Sequence, residues 1–148
     1  MKRFDLASAC AAAGRDETAQ WVGDFLASRG SDNATLAAGL AQRPHWWAGP
    51  VQIPLGDLAR LAGPERDALV RVPRGEWDDD VEGMQESLDD GWQPPPLIAE
   101  HRDGRLLLQD GNHRFDALER EDARTAWVLV YFDDPKARDA FAASLPAR

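Results

Sequence analysis

Asp110-Gly111-Asn112-His113-Arg114 sets a carboxylate, a glycine, an amide, an imidazole and a guanidinium in five consecutive positions. An apolar run, Leu106 to Leu108, leads into it, and Phe115 and Leu118 follow at the spacing of one helix face. The pattern predicts a strand, a tight turn at Asp110-Gly111, and a short helix whose first turn carries His113 and Arg114. Such a turn collects backbone amides that lack intrahelical partners, together with the positive end of the helix dipole. It suits an anion, phosphate above all. A guanidinium fork fits phosphate, and an imidazole can bind it or move a proton near neutral pH. The structural alternative is a plain corner in which Arg114 pairs with Asp116 or Glu119 and Asp110 caps the helix.

Phosphoryl transfer rests mostly on positioning and charge stabilisation. In that reading Asp110, Gly111, Asn112, His113 and Arg114 hold the phosphates, Arg114 neutralises charge in the transition state, and His113 serves as ligand or acid/base. A hydroxyl acceptor needs a base, for which Asp57, Glu100 and Asp110 are the candidates.

Positioning these groups requires a mixed α and β framework. Residues 4–43 read as three helices: Leu6, Ala9 and Cys10 share a face, and Trp21, Val22, Phe25 and Leu26 recur at helical spacing up to a stop at Arg29-Gly30. Ser31-Asp32 caps a third helix carrying Leu36 and Leu40. His45-Trp46-Trp47-Ala48-Gly49-Pro50 forms a hinge whose tryptophans lock the helical prefix onto a sheet. A strand follows at Val51–Leu55, then a helical turn at Gly56-Asp57-Leu58, a short extended piece at Val70–Pro73 and a polar loop, Arg74–Asp80, that contains Trp77. Asp79 or Asp80 then caps a helix with Val81, Met84 and Leu88 inward, ended by Gly91. Asp103-Gly104 is a hairpin signal pairing residues 97–102 with 105–109. After the motif helix come a long apolar strand, Ala126–Phe132, and a final helix begun by Asp133-Asp134-Pro135. The reading divides the chain into a helical extension, 1–48, and an α+β domain, 49–148.

Composition narrows the function classes. The 148 residues carry a net charge of −9, and 43% of them are hydrophobic. A duplex-binding domain normally shows the opposite charge balance, so nucleic acid is not the expected partner unless Arg102, Arg105, Arg114, Arg120 and Arg124 share a face. No apolar run is long enough to span a membrane and no signal peptide is evident, which predicts a cytoplasmic protein. A single cysteine, Cys10, excludes an internal disulfide and reads as a small buried apolar residue. The Asp78-Asp79-Asp80 triplet is read as helix-start charge rather than a metal site.

The order of elements resembles that of the ParB/sulfiredoxin superfamily over about residues 50–134. The likeness is carried by Val51-Gln52-Ile53-Pro54-Leu55, by Gly91-Trp92-Gln93-Pro94-Pro95-Pro96-Leu97-Ile98 and by Asp110 to Leu118. Sulfiredoxins have Gly-Cys-His-Arg at the last site and ParB proteins Gly-Glu-Arg-Arg, and in both the motif cradles nucleotide phosphates. The resemblance implies a ParB/sulfiredoxin-like mixed sheet with flanking helices and a site for ATP, ADP or CTP, with Mg²⁺ where phosphate is transferred. It also implies that Ser87, at a hydroxyl-bearing position of the preceding helix, touches a phosphate. Asn112 stands where sulfiredoxins place their catalytic cysteine, so sulfinic-acid reduction by that route is excluded.

Three functions follow. The first is a nucleotide-binding enzyme, a phosphotransferase or nucleoside triphosphatase acting on a small-molecule acceptor. The second is a non-catalytic nucleotide-sensing or partner-binding module, dimerised through its helical prefix. The third is a ParB-type nucleic-acid-associated protein or nuclease.

Overall fold

In the computed structural model, residues 3–28, 33–60, 62–63, 70–71 and 74–145 are described. The prefix comprises α1 (Leu6–Gly14), α2 (Thr18–Ala27) and α3 (Ala34–Leu40). Asp5 and Ser8 close α1 with a reciprocal capping box. Asn33 caps α3, while the expected stop at Arg29-Gly30 and cap at Ser31-Asp32 lie outside the described residues. Trp21, Val22, Phe25 and Leu26 form the buried face of α2. Ala9 and Ala12 bury α1, whereas Cys10 is exposed; at 100° per residue Cys10 falls off the face that Ala9 and Ala12 share.

The core is a five-stranded mixed sheet of β1 (Trp46–Pro54), β2 (Leu58–Arg60), β5 (Leu97–Arg102), β6 (Arg105–Asp110) and β7 (Thr125–Phe132), in the order β1-β7-β5-β6-β2. Two short strands, β3 (Ala62–Gly63) and β4 (Val70–Arg71), pair with each other apart from it. β1 is one nine-residue strand, so the expected hinge at 45–50 is largely sheet. Its neighbouring tryptophans fall on opposite faces, as strand periodicity demands. Trp47 packs into the cluster with the prefix, and Trp46 into the cluster beneath the other helices.

β5 and β6 form the expected hairpin, with Asp103 and Gly104 both at positive φ. β7 pairs antiparallel with β1 and parallel with β5. Both faces of the sheet are covered. Ile98, Leu129 and Tyr131 meet α1–α3; Leu97, Ala99, Leu108, Val128 and Val130 meet α5 (Asn112–Arg120) and α6 (Pro135–Ser144). Outside α5 lies α4 (Arg74–Asp89), which packs Trp77 and Val81 on Ala117.

The stretch 74–80 is helix, not loop. Trp77 is 1% exposed and continues the inward row of Val81, Met84 and Leu88. The acidic triplet therefore lies within α4 rather than before it. The fold is α+β, a mixed sheet with flanking helices. Among the described residues, no helix is long and apolar enough to cross a membrane.

Candidate functional site

The motif turn is built where β6 meets α5. Gly111 sits at φ +99°, a left-handed conformation that glycine adopts without the cost of a Cβ. Space demands glycine as well, because a Cβ there would stand 2.5 Å from Leu97 Cδ2 and 2.8 Å from Arg114 Nη2. The first helical bond runs from the Phe115 amide to the Gly111 carbonyl, so the amides of His113 and Arg114 have no intrahelical acceptor.

His113 stands at the mouth of this turn. Its ring stacks on Trp77 at 4.1 Å between centroids, and Nε2 lies 3.5 Å from Asp80 Oδ2. Trp77 is fixed by its indole N–H, which donates to Asp116. Asp116 also accepts from Arg120 at 3.3 Å, and Arg60 lies 3.9 Å from the same carboxylate while its guanidinium covers the Trp77 and Phe115 rings. Arg120 bonds Asp78 at 2.6 Å, which ties α4 to α5 a second time.

Burial lowers the His113 pKa from its ordinary 6.5, against the opposing pull of Asp80 and Asp116. The folded protein therefore holds this imidazole neutral at a pH where the unfolded chain begins to protonate it. The contribution to stability is complete above pH 6.5 and is lost as pH falls through the lower folded value. The urea midpoint should decline below pH 6.5, and less steeply in His113→Gln; equal slopes for the two proteins would refute the assignment.

Arg114 does not reach outward. It is 8% exposed, its Nη2 donates to Asp110 at 3.1 Å and to the Pro96 carbonyl at 3.4 Å, and its guanidinium lies over the Phe25 ring of α2. Asp110, also buried, accepts a 2.8 Å bond from Asn33 at the start of α3. The motif thus joins the sheet end to the helical prefix. Arg114 pairs with Asp110, not with Asp116 or Glu119.

The other expected site residues disperse. Asp57 precedes β2, whose Leu58 pairs with Leu106; the five residues from Leu106 to Gly111 put it about 16 Å from the turn along the strand direction. Glu100 is buried on the prefix face beside Tyr131, where it accepts from Arg102. Ser87 is exposed and its hydroxyl donates to the Gly83 carbonyl within α4. Asn112 begins α5, half-buried. The five arginines considered for a common basic face are divided. Arg102 and Arg105 lie at the hairpin end of the sheet, Arg114 is buried at the other end, Arg120 is spent on Asp78 and Asp116, and Arg124 is exposed just before β7. Among the described residues, no three His, Cys, Asp or Glu side chains converge as metal ligands would.

Sequence reasoning missed Trp77, Asp80 and Asp116 as partners of His113, and Asn33 and Phe25 as partners of the Asp110–Arg114 pair. Trp77 had a usable signal, since it precedes Val81, Met84 and Leu88 at intervals of four, three and four. The others depend on tertiary approach.

These elements define an α+β domain in which a strand, a left-handed glycine and a helix present an imidazole at the end of a mixed sheet. No family model matches the chain, and no curated protein matches it. Among solved structures it is similar to a pNOB8-like ParB N-domain (18% identity, TM-score 0.40), covering 67% of this chain and 34% of that one. It is likewise similar to sulfiredoxin from Arabidopsis thaliana (17% identity, TM-score 0.40), covering 64% of this chain and 97% of that one. A third is the C-terminally truncated chromosome-partitioning protein ParB from Caulobacter crescentus complexed with CTP-gamma-S (18% identity, TM-score 0.43), with 66% and 54% covered. The chain therefore spans about a third of the first ParB chain and about half of the other.

Proposed function

We propose that this protein binds the phosphate of a nucleotide at the N-terminal turn of α5, with the His113 and Arg114 amides and the His113 imidazole as ligands, and that it acts as a nucleotide-responsive binding module. The observation behind this reading is the anchored position of His113: between Trp77 and Asp80, on the first turn of a helix whose start is pinned by the left-handed Gly111. A neutral imidazole can donate one hydrogen bond to a phosphate oxygen, and the helix start adds its dipole.

Binding is favoured over turnover because the expected bases are elsewhere. Asp57 is at the far end of the sheet, Glu100 is on the opposite face, and Asp110 is engaged by Arg114 and Asn33. The second reading, a phosphotransferase or nucleoside triphosphatase using Mg²⁺, rests on the His113–Asp80 pair, which supplies a neutral imidazole beside a carboxylate at the turn.

The test is thermal melting against ATP, ADP, CTP and GTP, each with and without Mg²⁺, on the wild type and on His113→Ala. A ligand that binds only the folded state at a hundredfold excess over Kd stabilises it by about 2.7 kcal/mol. A shift with one nucleotide, abolished in His113→Ala, is the expected result, and phosphate release assayed with that nucleotide separates the two readings. No shift with any of the four overturns the proposal.

A further inference from the structure

The sheet face that receives the prefix carries a polar cavity remote from the α5 turn. It measures about 430 Å³, and its walls include Leu36 and Leu40 of α3, Arg43 and His45 of the α3–β1 connection, and Glu100 and Tyr131 of the sheet. Three of these groups are withdrawn from solvent: the His45 side chain is 6% exposed, that of Glu100 8%, and Tyr131 4%. Buried polar groups nearly always find partners, and one that does not calls for an explanation. Neither ring nitrogen of His45 has a hydrogen-bond partner; Nδ1 stands 3.5 Å from Asp133.

The charges are arranged by depth. Arg102 bonds Glu100 at 3.0 Å and Arg43 bonds Asp133 at 3.1 Å, each with a side chain 61% exposed. The Arg43 guanidinium thus lies at the rim, while Arg102, outside the lining, holds Glu100 from the solvent side. The inner wall holds a carboxylate, a phenol ring and an unsatisfied imidazole. An ammonium group can donate to Glu100 with a charge-assisted bond and lie against the phenol face, whereas an anion would meet Glu100 as a like charge. The Tyr131 pKa is raised, mainly by burial and next by the Glu100 charge, so the phenol stays protonated and adds no second anion.

We propose that this cavity is a second binding site, for a small organic ammonium ion with an apolar tail: Glu100 accepts from the ammonium, His45 offers an imidazole nitrogen as a further acceptor, and Leu36 and Leu40 receive the tail. The proposal is independent of the nucleotide reading, because none of these residues belongs to the α5 turn.

Tyr131 is the only tyrosine of the chain, so a tyrosine ring label reports on this cavity alone. The full-length protein, labelled in the tyrosine ring, is titrated at pH 7 with n-butylammonium and separately with butyrate, following the ring resonances by NMR. The expected result is a saturable shift with the amine and none with butyrate. Glu100→Gln should weaken amine binding at least tenfold, and Arg102→Gln, which uncovers Glu100 from outside, should tighten it several-fold. The melting curve of each variant is recorded alongside. No saturable shift with the amine, an equal shift with butyrate, or unchanged or weakened amine binding in folded Arg102→Gln overturns the proposal.

Discussion

Arg114→Ala is expected to destabilise the protein by about 3–5 kcal/mol, the range for removing one partner of a buried ion pair. The substitution takes from the Asp110 carboxylate, which is 7% exposed, the buried guanidinium that balances its charge. It also removes the cation that lies over Phe25. Urea denaturation of the variant measures the loss, and Asp110→Asn in the Arg114→Ala background should recover part of it by removing the buried charge that Arg114 balanced. A loss below about 1 kcal/mol, the level of an exposed pair, would mean that the Asp110–Arg114 pair does not hold the sheet end to the prefix. This is why His113, half-exposed, makes the cleaner substitution for testing a phosphate site.

Trp77→Ala should cost a similar amount, about 3–5 kcal/mol, as a large aromatic deletion in a close-packed interior. Trp77 joins two roles. Its ring fills the space between α4 and α5, and its indole N–H satisfies the buried Asp116. Trp77→Phe separates them: it keeps most of the volume and the surface under His113 but withdraws one donor from a carboxylate that keeps Arg120, with an expected cost of about 1.5–3 kcal/mol, that of a hydrogen bond to a charged group. The His113 ring resonances should move strongly in Trp77→Ala and little in Trp77→Phe. If both variants melt like the wild type, α4 does not pack on α5 as described.

The fold was largely legible because its signals are local. The Asp103-Gly104 turn, the apolar alternation of the strands and the spacing of Trp21, Val22, Phe25 and Leu26 each specify an element without reference to the rest. The start of α4 was misread because Arg74–Asp80 is dominated by charge, and one tryptophan in a polar run looks like a loop residue unless its spacing to Val81 is weighed. The site was less legible. A glycine followed by His and Arg marks a strand-to-helix turn, and the turn is there. Whether Arg114 points to solvent or inward depends on Phe25, about ninety positions away, and on Asp110, which Asn33 holds from a segment nearly as distant. Charge type alone carries no such information. Asp57 and Glu100 were grouped with the motif for their chemistry, but strand direction sends one to the far end of the sheet and pleat periodicity sends the other to the opposite face.

The pairing of β1 with β7 bears on the order in which the chain can fold. Trp46 lies opposite Phe132 and Pro54 opposite Thr125, so the first strand of the sheet has to wait for its neighbour until residues 125–132 have been made. The prefix waits as well, since the surface that buries Phe25 and Leu26 includes Leu129 and Tyr131 of that late strand. Closing so long a loop slows folding and exposes aromatic side chains meanwhile. The hairpin and motif helix, contiguous from Leu97 to Arg120, are the segments able to form first, with the helical prefix settling last onto a sheet completed only by β7.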